Sequence, residues 1–198
     1  MAANTYLTPE ERTLLESVRV GIAGAGGLGS NCAMHLVRSG VKHITIADFD
    51  VVNESNLNRQ FFFRDQLGQK KVVALKDNLL RIEPDADIRA VDIRLDASSA
   101  REIFADCGIV VEAFDAVDAK VMLVSAFASS GKKLVTASGL AGWGRSNAMT
   151  VRKMGNIVAI GDGETSVGDG AAPVSPRVGI AAAMQANSVV AMLLEKEL

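Results

Sequence analysis

Val20-Gly21-Ile22-Ala23-Gly24-Ala25-Gly26-Gly27-Leu28-Gly29 opens with a short apolar run and passes into glycines spaced G-x-G-x-x-G at 24, 26 and 29. Val20–Ala23 reads as a buried strand. Leu28–Ser39 carries a helical pattern that Gly40 stops at the expected C-terminal position. A second apolar run, Ile44–Ala47, ends at Asp48, 19 positions after Gly29. Strand, glycine turn, helix and strand in this order make a nucleotide-binding unit. Gly24 permits the tight turn, Gly26 lets the backbone approach phosphate beside Gly27, and Gly29 allows close helix–strand packing. The helix N-terminus offers free N–H groups to an anion, and Asp48 stands where a carboxylate accepts hydrogen bonds from ribose hydroxyls.

The chain on either side repeats this rhythm. Thr8-Pro9-Glu10-Glu11 begins a helix with a capping-box spacing and proline at its first position. Gln69–Arg81 has Val72, Leu75 and Leu79 at three- and four-residue intervals, and Pro84 limits it. Ile88–Ile93 suits a third strand, Ser98–Asp106 a helix, Gly108–Glu112 a strand buried on both faces, Ala116–Ser130 a helix and Lys133–Ala137 a further strand. After Ser138 the pattern changes. Gly139–Gly144 is a glycine-rich bend holding Trp143, and Ala148–Lys153 with Asn156–Ile160 suggests a hairpin about Met154-Gly155. Gly161–Ala172 reads as mobile, and Ser175-Pro176 caps a last helix through about Glu195. The expected fold is α/β and Rossmann-like, a mainly parallel sheet with helices on both faces, plus a C-terminal hairpin-like excursion and final helix. Residues 1–198 are read as a single domain.

Composition excludes several classes. Of the 198 residues, 48% are hydrophobic and the formal net charge is −2, so no broad nucleic-acid surface is indicated. No uninterrupted apolar run reaches the ~18 residues of a membrane span. Met1–Thr5 lacks the basic and apolar segments of a secretion signal, which points to the cytoplasm. Cys32 and Cys107 stand far apart in apolar surroundings and read as buried free thiols. His35 and His43 flank no carboxylate or cysteine pair and read as packed or solvated side chains.

A second polar group narrows the ligand. Asn56-Leu57-Asn58-Arg59-Gln60 follows Asp48, and Lys71 lies near the start of the next helix. A hydride-transferring enzyme has no evident need of this cluster, whereas a triphosphate does. Arg59 can bind phosphate oxygens bidentately, Lys71 supplies a compact charge, and Asn56 and Gln60 orient what the cations attract. Asp115, after the strand ending in Glu112, belongs at the same crevice, where a lone carboxylate beside polyphosphate suits Mg²⁺. Asp118 is expected to cap the following helix. The implied small molecules are ATP and Mg²⁺.

The glycine loop, Asp48-Phe49-Asp50, Ser55–Gln60, Gly68-Gln69-Lys70-Lys71 and Phe114-Asp115 together resemble the ThiF/MoeB group of ubiquitin-activating-like enzymes. The likeness covers roughly residues 20–138, with a weaker echo in 176–187. That group adenylates the C-terminal glycine of small ubiquitin-like sulfur carriers. The compact length looks most like the short ThiF type, whose partner is the carrier ThiS of thiamine thiazole synthesis. By position, the resemblance gives Asp48 the ribose, Asn56, Arg59, Gln60 and Lys71 the phosphates, and Asp115 the Mg²⁺. The carrier tail is expected to run beneath Gly139–Ala172. Trp143 either gates that passage or pins the bend onto the core.

Three departures qualify the resemblance. Longer relatives carry two C-x-x-C pairs, absent here, so no structural zinc is expected. Gly139–Ser175 contains no cysteine for a covalent relay. Dimeric relatives insert an N-terminal arginine into the neighbouring site, and Arg12 is the nearest candidate. The broad apolar face of the last helix either supports a homodimer or completes the core of one chain. Other readings are a molybdopterin-type carrier or a tRNA-bound carboxylate as substrate, a NAD-dependent oxidoreductase, and a non-catalytic nucleotide-binding module.

Overall fold

The computed structural model describes residues 6–166 and 170–198. The readings of Met1–Thr5, and of residues 167–169 within the glycine-rich segment, lie outside these. Thr8 caps α1 (Pro9–Ser17), with both hydrogen bonds of the capping box formed. The sheet contains β1 (Arg19–Ala23), β2 (His43–Asp48), β3 (Asp87–Asp92), β4 (Ile109–Glu112), β5 (Lys133–Ala137), β6 (Thr150–Met154) and β7 (Ile157–Gly161). Its order is β3-β2-β1-β4-β5-β7-β6. All pairings are parallel except β6 with β7.

Helices α2 (Gly27–Arg38), α3 (Lys71–Ile82) and α6 (Ser175–Leu193) share a core with Val20 and Ile22 on one face. On the other face, α4 (Ala97–Ile103) and α5 (Val117–Phe127) enclose Phe104, Leu123 and Phe127. The Phe104 ring fills the space over Gly21, where a Cβ would meet it at 2.6 Å. Strand order reverses between β1 and β4, so the glycine loop and the β4–α5 loop open on one crevice at the carboxyl ends of the strands.

Local expectations hold in part. The expected hairpin forms between β6 and β7, and β7 also pairs with β5, so the hairpin extends the main sheet. Strand β4 ends at Glu112 as expected, with Asp115 in the loop beyond it. Asp118 does not cap α5. It lies inside the first turn behind Ala116, where its charge still complements the helix dipole. Val174, not Ser175, occupies the cap position of α6, and Pro176 presets the first turn. The apolar face of α6 packs on α2 and is buried within the chain, including Val178, Ala181, Ala182 and Val189. This face therefore completes the core of one chain.

Trp143 is 74% exposed and does not pin the bend. Ala141 is buried instead, and Gly142 joins Pro173 by a parallel bridge. Pairing of β2 with β3 brings Asp87 beside His43, whose Nδ1 stands 3.3 Å from the carboxylate. Hydrogen bonds from Arg19 and His43 hold the Asp87 carboxyl below its ordinary range. Burial, then the Arg38 charge, lowers His35. Among the described residues no helix is long and apolar enough to cross a membrane.

Candidate active site

Gly24 leaves β1 at φ +103°, a conformation side chains rarely adopt, and its N–H donates to the Ala47 oxygen at 2.8 Å. Gly26 occupies the cap position of α2. The first-turn N–H groups beyond it have no intrahelical acceptors and so face the crevice as donors. Gly29 carries the tightest packing, since a Cβ there would fall on the Gly24 carbonyl oxygen. Asp48 is drawn to this loop: Ala25 N–H donates to Oδ2 at 2.6 Å and Asp50 N–H to Oδ1 at 2.7 Å.

The segment from Phe49 to Lys70 leaves β2 and returns to it, its base pinched by an antiparallel bridge between Val51 and Lys70. This folds Asn56–Gln60 back over the glycine loop. A Cβ on Gly27 would lie 3.5 Å from Arg59 Cγ, and one on Gly26 would lie 3.9 Å from Gln60 Nε2. Arg59 Nη1 donates to the Ser55 oxygen at 3.1 Å and to Asn58 Oδ1 at 2.8 Å, which leaves other guanidinium donors for an anion. Gln60 is buried, and its Oε1 has no partner among the described residues. Asn56 Oδ1 accepts from Asn53 N–H at 3.0 Å and thereby shapes the turn.

Lys71 is the first residue of α3, and its Nζ is paired with Asp50 Oδ2 at 2.9 Å. Its side chain is only 7% exposed, against 47% for Asp50. The neighbouring Lys70 reaches Asp92 Oδ2 at 3.1 Å, and the Arg94 guanidinium stacks on Phe49 at 3.8 Å from the ring centre. Two lysines and an arginine thus hold Asp48-Phe49-Asp50. Asp115 stands exposed in the loop that leaves the carboxyl end of β4. No group of three His, Cys, Asp or Glu that could hold a metal ion occurs among the described residues. A lone exposed carboxylate fits Mg²⁺, which is commonly held by one or two carboxylates with water and phosphate oxygens completing its shell.

The structure adds residues that sequence reasoning missed. Ser30 Oγ donates to the Gly26 oxygen at 2.6 Å and accepts from Phe61 N–H at 3.0 Å. Asn31 Nδ2 donates to the oxygens of Gly27 and Arg59 at 2.7 and 2.9 Å. Two adjacent polar residues, Ser30 and Asn31, near the start of α2 were the available signal. Glu112, fully buried, accepts from Lys120 Nζ at 3.0 and 3.1 Å, from Thr136 Oγ1 at 2.5 Å and from Phe114 N–H at 2.7 Å. Gln185 Nε2 donates to its carbonyl at 2.9 Å. This cluster anchors the start of the loop that carries Asp115. An acid closing an all-apolar strand was its signature.

The end of β7 is tied to α6 by Asp162 and Arg177. Burial pushes the Asp162 carboxyl up, but N–H donors of Thr165 and Glu164, the Thr165 hydroxyl and Arg177 outweigh it and hold it below its ordinary range. At the other end of α2, Leu15 of α1 approaches Gly40, where a Cβ would lie 3.8 Å from its Cδ1. Helix α2 has 12 residues, about 18 Å. Arg12, also on α1, is thereby placed toward the opposite end of α2 from its own chain's glycine loop.

A model of the ThiF family matches residues 3–198. The chain is 32% identical over 145 residues to a molybdopterin-synthase adenylyltransferase of Salmonella typhimurium, covering 73% of this chain and 58% of that protein. It is 35% identical over 127 residues to the adenylyltransferase and sulfurtransferase UBA4 of Eremothecium gossypii, covering 64% of this chain and 29% of that one. The chain thus spans less than two thirds of the length of either relative. The E. coli tRNA N6-threonylcarbamoyladenosine dehydratase TcdA, solved with AMP, aligns with a TM-score of 0.86 at 19% identity, over 94% of this chain and 90% of that one. That likeness is one of fold. The family match runs through the glycine loop, the Arg59 segment and the hairpin alike, and the chain belongs to the ThiF family.

Proposed function

We propose that residues 1–198 form a single adenylyltransferase domain that uses ATP and Mg²⁺ to activate the C-terminal glycine carboxylate of a small ubiquitin-like sulfur carrier. The observation that carries this is the placement of Arg59 and Gln60 directly over Gly27 and Gly26. A cation with free donors then faces a helix N-terminus, an arrangement suited to phosphates more than to a nicotinamide.

In the proposed reaction a carrier carboxylate oxygen attacks the α-phosphorus of ATP. A new oxygen–phosphorus bond forms, the bond to the bridging oxygen breaks, and pyrophosphate leaves. Asp48 keeps lone pairs for ribose hydroxyls beyond the two N–H groups it already accepts. Arg59 and Lys71 neutralise phosphate charge, with Asp50 holding the lysine in place. Gln60 and Asn56 orient the phosphates. Asp115 would hold Mg²⁺, which when bound supplies positive charge to the leaving pyrophosphate. The residues act by positioning and charge stabilisation, and no protein nucleophile is required. A homodimer would bring Arg12 of one copy toward the crevice of the other.

A ThiS-like carrier of thiamine thiazole synthesis is the first reading. A molybdopterin-type carrier is the second reading, favoured by identity to the Salmonella typhimurium relative. Carrier-dependent exchange of labelled pyrophosphate into ATP, with ThiS-type and molybdopterin-type carriers side by side, separates the two. Binding of ATP without exchange on either carrier sinks the assignment.

A further inference from the structure

One buried ion pair gathers the segment between β5 and α6. Arg177, in the first turn of α6 and 2% exposed, donates through Nη2 to Asp162 Oδ2 and through Nη1 to the Gly144 oxygen, both at 2.5 Å. Asp162 also accepts from the N–H groups of Glu164 and Thr165 at 2.9 Å and from the Thr165 hydroxyl. Its own N–H donates to the Gly139 oxygen at 3.0 Å, and Arg152 Nη2 donates to its carbonyl at 3.1 Å. These bonds join the ends of β5 and β7, the bend through Gly144 and the first turn of α6.

The next residue, Val178, points the other way. A Cβ on Gly27 would stand 2.9 Å from its Cγ1. Adjacent residues of one helical turn therefore hold the Trp143 bend and the glycine loop. Stability alone is a poor reason for such a pair, since apolar residues of similar volume often serve as well or better. Arg177 even leaves its buried Nε without a partner among the described residues, a costly arrangement. What the pair provides is a fixed distance between bend and loop.

We infer that Arg177 is a positioning residue for the carrier tail, setting the Trp143 bend at the height from which a peptide passing beneath it reaches the nucleotide. This rests on the adenylyltransferase reading above. With Arg177 removed, the bend must be ordered anew each time a tail binds, while the phosphate-facing groups stay in place. The loss therefore falls on carrier binding and spares ATP.

The test uses the full chain with a ThiS-type carrier ending in Gly-Gly and compares wild type, Arg177→Met and Arg177→Lys. Arg177→Met should raise KM for the carrier about tenfold and change KM for ATP less than about twofold. Arg177→Lys, able to reach one of the two acceptors, should fall between. Trp143, the single tryptophan, supplies an independent readout. With a non-hydrolysable ATP analogue bound, its emission should respond at about tenfold higher carrier concentration in Arg177→Met than in wild type. Should Arg177→Met fail to fold, the same split must appear in Arg177→Lys. Equal shifts in both KM values, or no shift in a folded variant, overturn the inference while the parent reading stands. Should the wild type exchange only with a molybdopterin-type carrier, the same comparison is made with that one; absence of exchange by the wild type with both carriers overturns the parent reading and the inference with it.

Discussion

Asn31 Nδ2 donates to the main-chain oxygen of Arg59 at 2.9 Å. One side-chain amide on α2 therefore holds the segment carrying Arg59 against the helix whose first residue, Gly27, lies beneath that side chain. Asn31→Ala removes this bond and the one to Gly27. It should lower stability by about 1 kcal/mol in urea titration and raise KM for ATP about five- to tenfold.

Gly29 and Gly26 should respond to alanine in opposite ways. At Gly29 the added methyl falls on backbone, the Gly24 carbonyl, which has no rotamer to escape into. Loss of about 3 kcal/mol or more, or failure to fold, is expected. At Gly26 the nearest atom is Gln60 Nε2 at 3.9 Å, so the fold should persist. The methyl would nonetheless occupy the space in front of the loop, and ATP affinity should fall at least about tenfold. Thermal melts and calorimetric ATP titration separate the two.

Asp115 is exposed and outside the core, so its replacement tests chemistry with little effect on folding. Asp115→Ala should melt with the wild type, yet lose about a hundredfold or more of its Mg²⁺-dependent pyrophosphate exchange. Retained exchange would remove Asp115 from the metal site.

The Asp162 carboxyl lies below its ordinary value of 3.8 in the folded chain. The unfolded chain takes up this proton first as the solution is acidified. The stabilisation is therefore complete above the unfolded value and is lost as pH falls through the folded one. Thermal melts from pH 6 to pH 3 should show a steeper decline for wild type than for Asp162→Asn. Parallel declines would show that this carboxylate contributes nothing to acid sensitivity.

Burial pushes the Cys32 thiol up to about 12, and burial with the nearby Asp106 charge pushes Cys107 up to about 11. Neither should react with a disulfide reagent at pH 8 in the folded protein. Both should react in guanidinium, giving a two-thiol difference.

What the sequence made legible was whatever depends on neighbours along the chain. The spacing of Gly24, Gly26 and Gly29, the Thr8–Glu11 capping box and the apolar strands are local signals. The Arg59 segment stood out as a polar run, and the structure brings it over the glycine loop. The contacts of Ser30 and Asn31 were not, because helical periodicity does not say which loop folds back over a helix. Asp162 and Arg177 were hidden for the same reason, since the loops between them have no period to read. Size alone could not decide between the two readings of Trp143: large aromatics usually seek the core, but this one stands exposed in a bend with three glycines at positive φ.

Contact between Val178 and Gly27 has a consequence for how the chain matures. The glycine loop is synthesised early, and the helical turn that packs against it is synthesised late. A nascent chain with its first strands already paired still lacks the α6 side of α2, an apolar surface open to water. Competence to bind nucleotide should therefore appear late and abruptly on the ribosome, when α6 emerges and docks, rather than growing strand by strand.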